Sequence, residues 1–109
     1  MNGLNKVMII GNLTADPELK YTPQSTAVCT FSVAVNERYK NSSGEQTENT
    51  EYMKIVIWRK LAEVAGQYLK KGGLVYLEGK LRTRNYEKDG QKHYITEVVA
   101  DVMTMLGGK

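Results

Sequence analysis

The sequence predicts an all-β fold with one helix: a five-stranded Greek-key barrel whose helix lies between the third and fourth strands. Three observations carry the prediction. Four stretches alternate apolar and polar residues with period two, and a fifth holds a short continuous apolar run. Only one stretch, Leu61 to Leu69, repeats with the helical period. Turn-forming residues such as Asp16-Pro17 and Asp89-Gly90 punctuate the strands.

The first strand, Leu4 to Leu13, contains Val7-Met8-Ile9-Ile10 and breaks at Gly11, a pattern expected of a strand buried on both faces and bent at the glycine. The second, Val28 to Asn36, places Phe31, Val33 and Val35 on one face and Ser32, Ala34 and Asn36 on the other. Residues 40 to 50 carry no apolar side chain, so a mobile, protruding polar loop is expected there, flanked by the strands of a hairpin. In the third strand, Glu51 to Trp58, Met53, Ile55 and Ile57 share one face; Tyr52, Lys54, Val56 and Trp58 share the other. Leu61, Val64, Ala65, Tyr68 and Leu69 then form one helical stripe that stops at Lys70-Lys71-Gly72. The fourth strand, within Leu74 to Glu87, points Val75, Leu77 and Leu81 inward and Tyr76, Glu78, Lys80, Arg82, Arg84 and Tyr86 outward. Asp89-Gly90 turns the chain into a fifth strand, one face of which is Tyr94, Thr96, Val98, Ala100 and Val102. The order β-β-β-α-β-β is that of the oligonucleotide/oligosaccharide-binding (OB) barrel. The pattern alone also admits a helix-capped sandwich.

The 109 residues are enough for one domain, read as residues 1–109, so a single fold must carry the function. A content of 41% hydrophobic and 25% charged residues is that of a globular domain and argues against disorder. The longest purely aliphatic run, Val7 to Ile10, is too short for a bilayer span or a secretory signal, and a cytoplasmic protein is expected. Cys29 has no second cysteine to pair with, and His93 is the single histidine, so neither a disulfide nor a zinc cluster is expected.

Charge is unevenly placed. From Lys54 to Lys92 ten basic residues stand against four acidic ones, while the rest of the chain carries five basic and eight acidic residues. A segment of net +6 on an otherwise acidic molecule points to a polyanion as partner, although scattered lysines on a solvated surface would give the same total. The outward faces of the third and fourth strands sharpen the reading. Tyr52, Lys54 and Trp58 on one, and Lys80, Arg82, Arg84 and Tyr86 on the other, interleave rings that stack on unpaired bases with cations that neutralise phosphates. Tyr39, Lys6 and Lys20 extend the track. The competing explanation for the rings is packing against the helix or a neighbouring subunit, and for Lys70 and Lys71 it is the dipole at the helix C-terminus.

Catalytic alternatives are poorly supported. Cys29 is in register with the inward face of its strand, far in sequence from His93; the acids show no pairing suited to a metal or to acid-base chemistry; and no phosphate-cradling Gly-x-x-x-x-Gly-Lys loop is present. Neither enzyme activity nor a cofactor is expected.

Asn5-Lys6-Val7-Met8-Ile9-Ile10-Gly11-Asn12-Leu13, with Asp16-Pro17-Glu18 and Tyr21, resembles the opening of bacterial single-stranded DNA-binding proteins. Leu61-Ala62-Glu63-Val64-Ala65, Tyr68-Leu69-Lys70-Lys71-Gly72 and the stretch Val75 to Arg84 are similar to the middle of that family, and Glu97-Val98-Val99 with Met105-Leu106-Gly107-Gly108 to its end. The resemblance implies an OB-fold homotetramer around which single-stranded DNA wraps, protecting it during replication, recombination and repair. Its base-stacking rings fall on Tyr39, Tyr52, Trp58 and Tyr86, and its phosphate-contacting cations on Lys6, Lys20, Lys54, Lys60, Lys70, Lys71, Arg82 and Arg84. Three of the four rings are tyrosine where relatives often carry tryptophan. Relatives also continue into a flexible tail with an acidic, hydrophobic tip that recruits replication and repair proteins; this sequence stops at Lys109, as either a DNA-binding core or a naturally short relative would, and carries no reading of such recruitment. The rival readings are an OB module for RNA or protein, and an OB-fold nuclease, which would need clustered carboxylates.

Overall fold

A computed structural model describes residues 3–106. Gly107 and Gly108 of the terminal motif lie outside the described residues. The elements are β1 (Val7–Leu13), β2 (Glu18–Tyr21), β3 (Ala27–Lys40), β4 (Gln46–Trp58), α1 (Arg59–Tyr68), β5 (Leu74–Lys88) and β6 (Gln91–Leu106). The sheet runs β1-β5-β6-β4-β3-β2, and a β1–β3 pairing at Asn12↔Ala34 and Leu13↔Val33 closes β1, β5, β6, β4 and β3 into a five-stranded barrel. All pairings are antiparallel except β4–β6. This is the predicted barrel, with its helix between the third and fourth barrel strands. The sandwich alternative is set aside by the closure.

The inward side chains of every barrel strand meet in one core. Ile9, Leu13, Cys29, Phe31, Val33, Ile55, Ile57, Val75, Leu77, Val98 and Ala100 are buried there, and Ala62, Ala65 and Leu69 of α1 cover one end. Gly11 is required where β1 crosses β3: a Cβ at this position would lie 2.6 Å from the Ala34 carbonyl oxygen. Among the described residues no helix is long and apolar enough to cross a membrane.

Several expectations are corrected. There is a sixth strand, β2, which pairs with β3 outside the barrel; four residues are too few for their alternation to register in the sequence. β1 is buried on one face only, with Met8 65% and Ile10 53% exposed, because a single-layer barrel leaves its outer surface uncovered. The polar stretch is mostly strand. Residues 36–40 pair with residues 46–50 in a projecting hairpin arm, and the loop proper is Asn41 to Glu45, where the Asn41 Oδ1 accepts from the Ser43 and Glu45 N–H groups. Backbone pairing there needs no apolar side chains.

The helix is rotated from its predicted stripe, so that Ala62 is buried and Tyr68 exposed. It ends at Tyr68 with Leu69 as C-cap, which places Lys70 and Lys71 beyond its last turn. Leu81 is exposed because β5 has run past the end of β1, whose last partner is Gly79. In β6, Tyr94 is exposed because it lies on the second projecting arm, and Val102 because a bulge intervenes. Glu78 pairs with Val102 and Gly79 with Ala100, so Asp101 is an extra residue that reverses the face of everything after it. Asp89 and Gly90 both have positive φ (55° and 77°), as the expected tight hairpin turn requires.

Candidate nucleic-acid interface

Register alone assigns most of the suspected residues to a common face. Val56 pairs with Val99 across β4–β6, and Val99 with Lys80 across β6–β5. Register partners point to the same side of a sheet, and alternate residues share it. Tyr52, Lys54 and Trp58 of β4 therefore face the same way as Lys80, Arg82, Arg84 and Tyr86 of β5. Lys20, Val28 and Trp58 are partners across β2, β3 and β4 and extend this face. Val56 and Glu97, though outward by register, are buried, and form its floor.

On this face three clefts join end to end. The central one, about 560 Å³, is lined by Thr22, Gln24, Thr26, Trp58, Arg59, Lys80, Arg82 and Val99. It shares Thr26 and Arg59 with a cleft of about 350 Å³ that reaches Lys60 and Glu63. It shares Lys80 and Val99 with a third, of about 360 Å³, that reaches Asn5, Lys6 and Asp101. The shared residues set the three clefts side by side as a groove from Lys60 to Lys6, with Trp58, 41% exposed, lining the central one. Five cations line the groove against two acids, one at either end.

The two hairpin arms rise from the groove. Tyr52, 70% exposed, and the half-buried Lys54 lie on β4 below the β3–β4 arm, paired with Ala34 and Ser32; Arg84 and Tyr86 lie on the β5–β6 arm. Tyr86 stacks on its cross-strand partner His93 with ring centroids 5.3 Å apart. Arg84 donates through Nε to Glu97 Oε1 at 3.0 Å and thereby satisfies a buried carboxylate, so its charge is already partnered. Lys6 likewise pairs with Glu78 at 3.0 Å, and Lys20 with Glu18 at 3.4 Å.

Three predicted residues are not brought to this face. Tyr39 is exposed, but pairs with Thr47 and so occupies the other side of the β3–β4 ribbon from Tyr52. Lys70 and Lys71 follow the far end of α1, about 15 Å along its axis from Trp58. There the Lys71 N–H donates to Asp16 Oδ1 at 2.9 Å. Sequence reasoning missed Arg59, the Thr22–Thr26 turn and His93. The turn was signalled by Thr22-Pro23, and Arg59 by its place beside Trp58, but neither lies on an alternating stretch.

The residues suited to nucleophilic chemistry are elsewhere. Burial in the barrel pushes the Cys29 thiol up to about 11, so it is protonated at neutral pH. Among the described residues no group of His, Cys, Asp and Glu is placed to hold a metal ion.

Residues 4–106 match the model of the Single-strand binding protein family. The chain is 53% identical over 107 residues to the single-stranded DNA-binding protein of Neisseria meningitidis serogroup A, covering 97% of this chain and 62% of that protein. It is 50% identical over 109 residues to single-stranded DNA-binding protein 1 of Chlorobaculum tepidum, covering 98% and 67% respectively. It thus spans somewhat under two thirds of the length of the Neisseria relative. Among solved structures, a Plasmodium falciparum SSB in complex with ssDNA superposes with a TM-score of 0.88 at 31% identity, with 97% of each chain covered. A Thermus aquaticus single-stranded DNA-binding protein, a deletion mutant, gives the same TM-score at 36% identity, covering 98% of this chain and 52% of that one. The barrel, the order of its elements and the match over nearly the whole sequence agree, and the chain belongs to the Single-strand binding protein family.

Proposed function

We propose that this protein binds single-stranded DNA without regard to sequence and protects it during replication, recombination and repair, by stacking and charge neutralisation and without catalysis. The observation that carries the reading is the row of adjoining clefts from Lys60 to Lys6, lined by five cations against two acids and holding Trp58 in the central cleft. An indole there stacks on any base, since every base has a π-face, and the cations on either side take the flanking phosphates. The proposed track uses Lys6, Lys20, Trp58, Lys60 and Arg82 in and beside the groove, Tyr52 and Lys54 on β4 below the first arm, and Arg84 and Tyr86 on the second arm. Tyr39, Lys70 and Lys71 belong to it only if the strand leaves the groove and passes around the molecule.

That wrapping accords with a homotetramer, which the outer face of β1 supports. Met8 and Ile10 are exposed there beside Val102, with half-buried Leu74, Tyr76 and Leu106 on the same side. A contiguous apolar surface of this kind is what a second copy covers. The proposed place of action is the bacterial cytoplasm, with the nucleoid.

Titration with oligo(dT) tests the reading. Emission from Trp58, the single tryptophan, should be quenched, and the affinity should fall as salt rises because phosphate contacts release counterions. Equal preference for double-stranded DNA, or unchanged emission with no mobility shift at low salt, would overturn it.

A further inference from the structure

The junction between β4 and α1 contains a backbone conformation that its residue type does not favour. Trp58 is extended (φ −116°, ψ 156°), and the next residue, Arg59, has φ +65°. A left-handed residue lets the chain turn sharply from strand into helix, and glycine or asparagine adopts it at little cost; arginine does not. Two other non-glycine residues in this region of φ, Ser25 and Asp89, are accounted for locally. Asp89 belongs to the tight β5–β6 turn, and Ser25 to the turn in which its N–H donates to the Thr22 carbonyl at 2.8 Å. The turn from β4 into α1 accounts for the backbone angle at Arg59 but not for an arginine there. Arg59 caps no helix end, it is exposed, and among the described residues it makes no ion pair.

Its position supplies the reason. Arg59 lines both the central cleft beside Trp58 and the neighbouring cleft walled by Ser25, Thr26, Ala27, Lys60 and Glu63. That second cleft holds two cations, Arg59 and Lys60, against one carboxylate, Glu63, which accepts from the Tyr21 hydroxyl at 3.1 Å and keeps its charge, so the cleft is net positive. Strain retained at a ligand-lining position is the pattern of a residue kept for binding rather than for folding.

We infer that Arg59 is a phosphate-binding residue of the groove, held in a strained conformation so that its guanidinium bridges the base-stacking cleft at Trp58 and a second phosphodiester subsite at Lys60. The inference rests on the single-stranded DNA reading and adds a residue and a subsite to it. A planar fork with five donors suits a phosphodiester oxygen pair, and the exposed Ser25 lines the same cleft.

Because strain and binding pull in opposite directions, substitution should separate them. In the full chain, Arg59→Asn keeps a residue that tolerates positive φ and removes the charge. Its thermal midpoint should rise by roughly 2–4 °C as strain is partly released. Its binding to fluorescein-labelled oligo(dT), followed by anisotropy across a salt series, should weaken, with the slope of log K against log salt shallower by about 0.7. Arg59→Lys keeps the charge and should retain the slope. An Asn variant with wild-type slope and affinity, or with a lowered midpoint, would overturn the assignment while leaving the single-stranded DNA reading intact. If the wild-type chain fails to retain the oligonucleotide at low salt, that underlying reading falls and the subsite with it.

Discussion

The barrel presents two outward faces of opposite character. The face formed by β3, β4 and the upper parts of β5 and β6 is cationic and aromatic, concave, and flanked by two projecting arms. The face formed by β1 and the lower parts of β5 and β6 carries Met8, Ile10 and Val102 and a polar network, in which Tyr76 hydrogen-bonds Glu78 and Glu78 reaches Lys6 at the end of the groove. Both stand on the same layer of buried side chains, so neither character follows from the core. On the proposed function the difference lies in what each face meets. A groove for a polyanion exchanges counterions and needs exposed charge, whereas a surface for a second copy needs apolar area. The bulge at Asp101 divides them, since it turns Val102 outward just where β6 passes from one face to the other.

Substitutions can break the comparison on either side. The largest expected effect is on the apolar face. Ile10→Lys places a charge on a surface proposed to be covered, and in a symmetric interface the change counts twice, costing about 3–6 kcal/mol of association. Light scattering should find smaller species, while short oligo(dT) is still bound; an unchanged mass would separate β1 from assembly. Next comes the groove: Trp58→Ala should weaken oligo(dT) binding by about 1–3 kcal/mol without altering the mass. A change in both properties would mean that the faces are coupled.

Arg84→Ala sharpens the assignment within the groove. Since Arg84 satisfies the buried Glu97, the substitution should lower the thermal stability by on the order of 1 kcal/mol, water reaching the carboxylate in part once the arginine is gone. Its effect on the salt slope should be smaller than that of Arg82→Ala; the reverse order would show that Arg84 leaves Glu97 for phosphate.

The smallest effect is that of pH on the apolar face. The Tyr76 hydroxyl, and then the Lys6 ammonium, hold the Glu78 carboxyl below its ordinary value of 4.5, while the hydrogen bond to Glu78 holds the Tyr76 phenol above 10.0. A depressed carboxyl contributes stability above about pH 4.5 and loses it as pH falls through the lowered value; a raised phenol contributes below about pH 10 and loses it as pH rises further. Thermal midpoints should therefore decline at both extremes. Glu78→Gln should flatten the acid side of the profile, and an unflattened profile would remove Glu78 from the cause.

Much of the fold was legible because its physics is local. Val33, Ile55, Ile57, Val75 and Leu77 alternate with polar neighbours over strands long enough to register, and all five are buried. β2 was not legible, because four residues carry too little pattern. Of the site, Tyr52, Lys54, Trp58 and Arg82 could be read as outward residues of amphipathic strands. Arg59 could not, since its significance lies in a backbone angle and in the joining of two clefts.

The sequence by itself determined which side chains alternate and hence most of the buried barrel face, the single helix, the tight turn at Asp89-Gly90 and the segregation of positive charge, since these depend on near neighbours and on pattern. Only the tertiary structure decided which cations share a groove. Lys6, Lys60 and Arg82 meet there through barrel closure and the parallel β4–β6 pairing, while Lys70 and Lys71, equally basic, are carried to the far end of the helix. Spacing along a chain sets the face of each strand, but the pairing of distant strands sets which faces adjoin.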